Sequence, residues 1–232
     1  MSSKGRRLLR EKLETSFTMA FIFSIFTLVL NIMVYVADLY TVSGLKDLLA
    51  ASPRTPWGIV TSFFVHADEV HLLNNMFSLF FFLMLFVASN AFLSEKEVKM
   101  RIAPTLLAIF SIPATLNFFV LIVYPYMQII GSSGIVYTLE GMCLGFSLLN
   151  TLEFRRMQSK VQYEKQLLLV SSLSNLTIVV GFLLSLSIYP LLVFGGKYET
   201  ALWFHAIAFS CGFLSAMSYP IWNRQLRIMR KE

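Results

Sequence analysis

The stretch 70–93, VHLLNNMFSLFFFLMLFVASNAFL, decides how the rest of the chain is read. It is apolar for longer than the ~20 residues a helix needs to cross a bilayer. It carries no acidic or strongly basic side chain, yet His71 and Asn75 sit in its first turns. A run of this kind reads as a membrane span. Polar side chains gathered at one end of a span are costly and read as a site.

Five further stretches qualify as spans: 17–40, 102–124, 129–150, 167–194 and 201–222. The sequence therefore predicts an all-α membrane protein with six transmembrane helices. It reads as a single domain over 1–232, made of a basic segment 1–16, a six-helix core 17–222 and a basic tail 223–232. Composition agrees, because 56% of the residues are hydrophobic, 22 are Phe and only 14% are charged. A soluble domain carries about a quarter charged residues. Neither an internal repeat nor a low-complexity segment is visible. A channel or transporter would be expected to repeat itself in matching halves.

The placement of charge predicts orientation. With the N-terminus on the cytoplasmic side, all of the 19 Lys and Arg except Lys46, Arg54 and Lys197 fall inside. That skew follows the positive-inside rule and puts both termini in the cytoplasm. The net charge of +6 sits in short blocks between apolar runs rather than over a solvated face. This argues for a lipid bilayer as partner and against nucleic acid. The expectation is a multi-pass integral membrane protein, in the cell membrane if the host is prokaryotic. The basic start (Lys4, Arg6, Arg7, Arg10, Lys12) precedes a long apolar run without a clear small-residue cleavage signature. It reads as a retained first helix rather than a signal peptide. The outer segment 41–69, with Pro53, Pro56 and Trp57, reads as a loop lying partly in the membrane interface. Cys143 and Cys211 lie in apolar runs and read as buried thiols.

Three spans enter from the outer side with polar residues at one depth. The second carries His71 and Asn75. The fourth opens with Gly131, Ser132, Ser133 and Gly134, and the sixth has His205 near its start. At ~1.5 Å per residue all lie in the outer third of the bilayer. The set suits acyl transfer. A serine hydroxyl needs a base to take its proton, and His titrates in the right range. His71 and Asn75 are four residues apart, so they share a helix face and can both donate to a developing oxyanion. The Ser133 N–H, near a helix N-terminus, adds a third donor.

Gly131-Ser132-Ser133-Gly134 followed by Tyr137 resembles the Gly-x-Ser-Gly-x-x-Tyr motif of the rhomboid family. His71 to Asn75 resembles its His-x-x-x-Asn motif, with His66 at a further common family position. His205, Ala208 and Gly212 resemble His-x-x-Gly-x-x-x-Gly, and Trp57 resembles the Trp of the family's Trp-Arg pair. The motifs fall in family order on spans two, four and six, and the likeness covers essentially the whole chain as the basic six-helix form.

The resemblance implies an intramembrane serine endopeptidase with a Ser133–His205 dyad and no acid. It implies that Tyr137 orients His205, and that His71, Asn75 and the Ser133 amide hold the oxyanion. It implies single-span membrane proteins as substrates, cut near the outer face, with helix five and the loop before helix six moving to admit them. No cofactor or metal is required. Two positions depart from the pattern. Gly58 replaces the Arg of Trp-Arg, and Ala208 replaces a Gly while staying small. The small residues Ala208, Gly212 and Ala216 match Gly141 and Gly145, which suits close packing of helices four and six.

Ser132 fits the motif poorly and is expected to be replaceable. His66 suits a structural or water-holding role. Glu140, about two turns inward of Ser133, belongs to no family motif and is expected to be protonated or hydrogen-bonded. Pro113 is expected to kink helix three, and the Asn175 sequon lies inside helix five. A zinc enzyme built on His66, His71 and His205 is disfavoured because the spacing of the first two is not His-Glu-x-x-His. A non-cutting rhomboid relative would lack the Ser or the His, and this chain has both. Oligomeric state is left open by the sequence.

Overall fold

A computed structural model describes residues 3–91, 93, 95–157, 165–188 and 199–229. These form helices α1 (Ser3–Tyr40), α2 (Leu45–Leu49), α3 (Gly58–Thr61), α4 (Glu69–Ser89), α5 (Glu95–Val123), α6 (Ser133–Met157), α7 (Lys165–Ile188) and α8 (Glu199–Met229). A 3-10 turn, Ser62–Phe64, follows α3. Among the described residues, α1, α4, α5, α6 and α8 each contain a segment long and apolar enough to cross a membrane. The stretch expected as the fifth span also folds as a helix, α7. Its described apolar part, Ser171–Leu184, is shorter, and residues 189–194 of that expectation lie outside the described residues.

Helix α6 is the central post. Of an 18-residue stretch within its span Ser133–Leu152, 72% is buried inside the protein, against 11–33% for the matching stretches of the other four. The reason is on its surface. Gly141 and Gly145 leave room for α8 to approach backbone to backbone. A Cβ on Gly141 would strike the Phe209 carbonyl, and one on Gly212 would strike the Thr138 carbonyl. Small residues are what permit such packing where lipid supplies no hydrophobic drive. Phe63, Leu72, Leu79, Leu139, Met142 and Phe146 fill the space among α4, α5 and α6. The outward faces stay apolar, with Phe21, Phe26 and Met33 of α1 and Phe77 of α4 exposed.

The upper end of the bundle, taken as the end bearing Ser133 and His205, is closed by residues 41–68. Trp57 Nε1 donates to the Leu48 carbonyl (2.7 Å), and Thr61 Oγ1 donates to that of Leu49 (2.7 Å). Asn117 Nδ2 of α5 donates to the Ile59 carbonyl (3.0 Å). Gly58 is buried, and a Cβ there would fall on the Ala50 backbone. The residue that departs from the family's Arg is thus one that the local packing requires.

Several boundaries differ from those read in the sequence. The fourth helix starts at Ser133, not Ile129. Ile129 instead pairs with Ala51 through two backbone hydrogen bonds (2.9 and 3.0 Å), and Gly131 takes a left-handed φ of 103°. Helix α5 begins at Glu95 and runs through both Pro104 and Pro113. Cys143 is buried, whereas Cys211 is partly exposed.

Arg101 overturns a simpler expectation. It reads as a basic residue flanking a span, yet it is only 3% exposed. Its guanidinium donates to Asn90 Oδ1 and Asn150 Oδ1, both at 2.7 Å, and lies over the rings of Phe146 and Tyr219. Nearby, the Ser89 carbonyl at the end of α4 accepts from Asn150, Ser171 and Asn175. The sequon residue Asn175 is therefore a buried member of this lower polar cluster. The cluster joins five helices at the end opposite the site.

Candidate active site

Local chemistry positions each side chain. Asp68 caps α4, its carboxylate accepting from the His71 N–H at 2.7 Å. This satisfies one of the orphan donors of the first turn and fixes where the helix starts. His71 and, one turn on, Asn75 then face the start of α6. Gly131 lies against them. A Cβ there would meet the His71 ring at 2.8–3.0 Å and come within 3.7 Å of Asn75 Nδ2. Gly131 is thus required twice, by its positive φ and by its crowding. The Gly131 N–H donates to the Ser62 carbonyl at 2.9 Å, which ties the turn to the capping loop. Gly134 faces Phe204 and Pro113, each 2.9 Å from a Cβ placed there.

Ser133 is the first residue of α6, so its N–H has no partner within its own helix. Its Oγ lies 2.9 Å from His205 Nε2. The His205 ring stacks on Tyr137, with centroids 4.2 Å apart and planes 25° from parallel. The close approach of α6 and α8 at Gly141 and Gly212 holds the two groups within reach. Asn75 is buried, and its Nδ2 has no protein acceptor. His71 is partly buried, 5.2 Å centroid to centroid from His66. All seven residues expected at the site therefore gather at one end of the bundle.

Two residues beside them gain contacts that the sequence did not reveal. Ser132, expected to be replaceable, is buried and its Oγ lies 3.2 Å from His66 Nε2. Burial, reinforced by the neighbouring His71, pushes the His66 imidazole down to about 3, so it is neutral at ordinary pH. Nothing local to either residue signals a contact between side chains 66 positions apart. Among the described residues, no group of three or more His, Cys, Asp or Glu is placed to hold a metal ion.

Fold and site together define a polytopic helical membrane protein with a serine–histidine pair sunk among its helices. The Rhomboid domain family matches residues 53–221, well over half of the chain. The chain belongs to the rhomboid family, whose members are intramembrane serine proteases. Comparison with curated proteins finds no match, and comparison with solved structures finds none. The protein is a multi-pass integral membrane protein.

Proposed function

We propose that this chain is an intramembrane serine endopeptidase that cuts single-span membrane proteins near the outer membrane face with a Ser133–His205 dyad. The observation that carries the reading is the 2.9 Å contact between Ser133 Oγ and His205 Nε2, made across two helices at the start of α6.

In this reading Ser133 Oγ attacks the scissile carbonyl carbon while His205 Nε2 takes its proton. Nε2 must then be the unprotonated nitrogen of the resting imidazole. The oxyanion forms beside His71, Asn75 and the Ser133 N–H. The unpartnered Asn75 Nδ2 supports that role, since a buried donor without an acceptor costs ~1–3 kcal/mol unless the reaction supplies one. Such donors, fixed before the charge appears, give the largest share of catalysis in many acyl transfers. Collapse of the intermediate breaks the C–N bond, and His205 returns its proton to the leaving amine. Water, activated by the same imidazole, then hydrolyses the acyl-enzyme. Tyr137 holds the His205 ring in plane by stacking.

The proposal includes six spans, α7 serving as the fifth, with both termini cytoplasmic and the site opening to the outer side. Localisation to the cell membrane, if the host is prokaryotic, goes with it. The test is cleavage of a helix-destabilised single-span substrate in proteoliposomes. Ser133→Ala and His205→Ala are each expected to abolish cleavage while still inserting, and Ser133→Ala to lose fluorophosphonate labelling. Wild-type cleavage by either variant would overturn the mechanism.

A further inference from the structure

The span Ser133–Leu152 contains one carboxylate, Glu140, which the dyad does not use. Helical geometry places it. Successive residues turn by ~100°, so Ser133, Tyr137, Glu140 and Leu144 form one stripe along α6. The neighbours on either side of the stripe identify what it faces. Cys143 Sγ donates to the Phe82 carbonyl of α4 at 3.4 Å. On the other flank Gly141 abuts Phe209 of α8. Leu144, on the stripe itself, packs with Ile178 of α7 and Phe209. Glu140 therefore lies on the side of α6 between α4 and α8, one turn above the contact that Leu144 makes with Ile178 of α7.

Glu140 is largely enclosed by the helices, although as a residue it keeps more exposure than Leu139 and Gly141 beside it, which are buried. No hydrogen bond or ion pair engages it among the described residues. Lipid cannot satisfy such a group, and an ionisable residue inside a span is rare enough to be read by default as functional. Ser133 and Tyr137 lie on the same stripe of α6, outward of Glu140.

We propose that Glu140 is a specificity-determining residue whose carboxyl accepts a hydrogen bond from a donor side chain of the substrate's transmembrane segment, inward of the scissile bond. This rests on the protease reading above and deepens it. Seven residues of α6 separate Glu140 from Ser133, or ~10 Å at the helical rise. A substrate spans that depth with ~3 residues if extended and ~7 if helical. The preferred donor, an amide or an ammonium, therefore sits three to seven residues inward of the cut. The expected preference is about 3-fold to 30-fold in kcat/KM, the range that an interhelical hydrogen bond gives in a bilayer.

The experiment uses the full chain in proteoliposomes. The substrates share one cleavage region and carry Leu at all inward positions, or a single Asn or Lys scanned through them. Wild-type protein is expected to prefer a donor in at least one register. Glu140→Leu is expected to lose that preference. Glu140→Gln, which still presents a carbonyl oxygen, should keep the preference for Asn and lose that for Lys. Equal fluorophosphonate labelling of the three proteins, with equal cleavage of the all-Leu substrate, shows that the dyad is intact. A flat donor profile in the wild type, or the same preference retained in Glu140→Leu, overturns the subsite while leaving the protease. Absence of cleavage of every substrate by the wild type overturns both.

Discussion

Gly212→Ala tests whether the seam between α6 and α8 sets the geometry of the proposed dyad. The added Cβ would fall on the Thr138 carbonyl, well inside contact distance. A carbon and a carbonyl oxygen rest at ~3.3 Å or more, so the two backbones have to part by about 1 Å. Thr138 is backbone in the middle of a helix and cannot rotate away. Ser133 lies on one of the parted helices and His205 on the other, about two turns above Gly212. A separation of that size stretches the 2.9 Å contact past the hydrogen-bond limit. Misplacement of reacting groups by ~1 Å costs on the order of 10²-fold in rate. Stability should fall less, because overpacking costs ~1–3 kcal/mol and the better helix propensity of Ala returns ~1 kcal/mol. Gly181→Ala is the matched control. It lies in α7 with nothing within 4 Å of its Cβ, so it should leave rate unchanged and stability equal or slightly higher. Cleavage kinetics in proteoliposomes and thermal unfolding in detergent read both quantities. Wild-type kcat/KM in Gly212→Ala, with an unchanged melting temperature, would refute the argument that this contact positions the dyad.

Three further outcomes follow from the same packing. Gly131→Ala should lower kcat by on the order of 10²-fold and stability by ~1–2 kcal/mol, through the left-handed φ and its crowding of His71. A fully active, undestabilised variant would contradict that. Arg101→Leu should reduce unfolding free energy by about 3 kcal/mol, because it removes hydrogen bonds from a charged donor to Asn90 and Asn150. Denaturant titration in mixed micelles measures it, and a loss under 1 kcal/mol would mean that the lower cluster contributes little. His66 should make the protein acid-sensitive. Its pKa is depressed to about 3 in the folded state against ~6.5 unfolded. The unfolded chain therefore binds a proton that the folded chain refuses. Stability is complete above pH ~6.5 and declines towards pH 3 with a slope up to ~1.4 kcal/mol per pH unit. His66→Gln should flatten that slope in a series of melts, and an unaltered slope would assign the acid sensitivity elsewhere.

The spans were legible because a span is a local property. Twenty or so apolar residues declare themselves whatever they later touch, and the central helix is marked by its glycines as well. The depth of His71, Asn75, Ser133 and His205 could be counted along each span. Their convergence could only be anticipated, because the sequence does not say which helix stands beside which. Helix α6 starts four residues later than the apolar run suggests, because the backbone of Ile129 pairs with Ala51 instead of entering the helix.

The sequence by itself determined the helical membrane class, the family and the set of polar residues at one depth. Those depend on residue type and spacing along a single chain segment. Only the tertiary structure decided the 2.9 Å Ser133–His205 contact, the His66–Ser132 pair, the burial of Arg101 and the need for Gly58. Each of these is a meeting of atoms brought together by packing rather than by spacing along one helix. Arg101 looks like a solvated flanking charge until Asn90, Asn150, Phe146 and Tyr219 close around it. A buried polar group is tolerated only where partners satisfy it, and partners from three other helices are supplied by the fold.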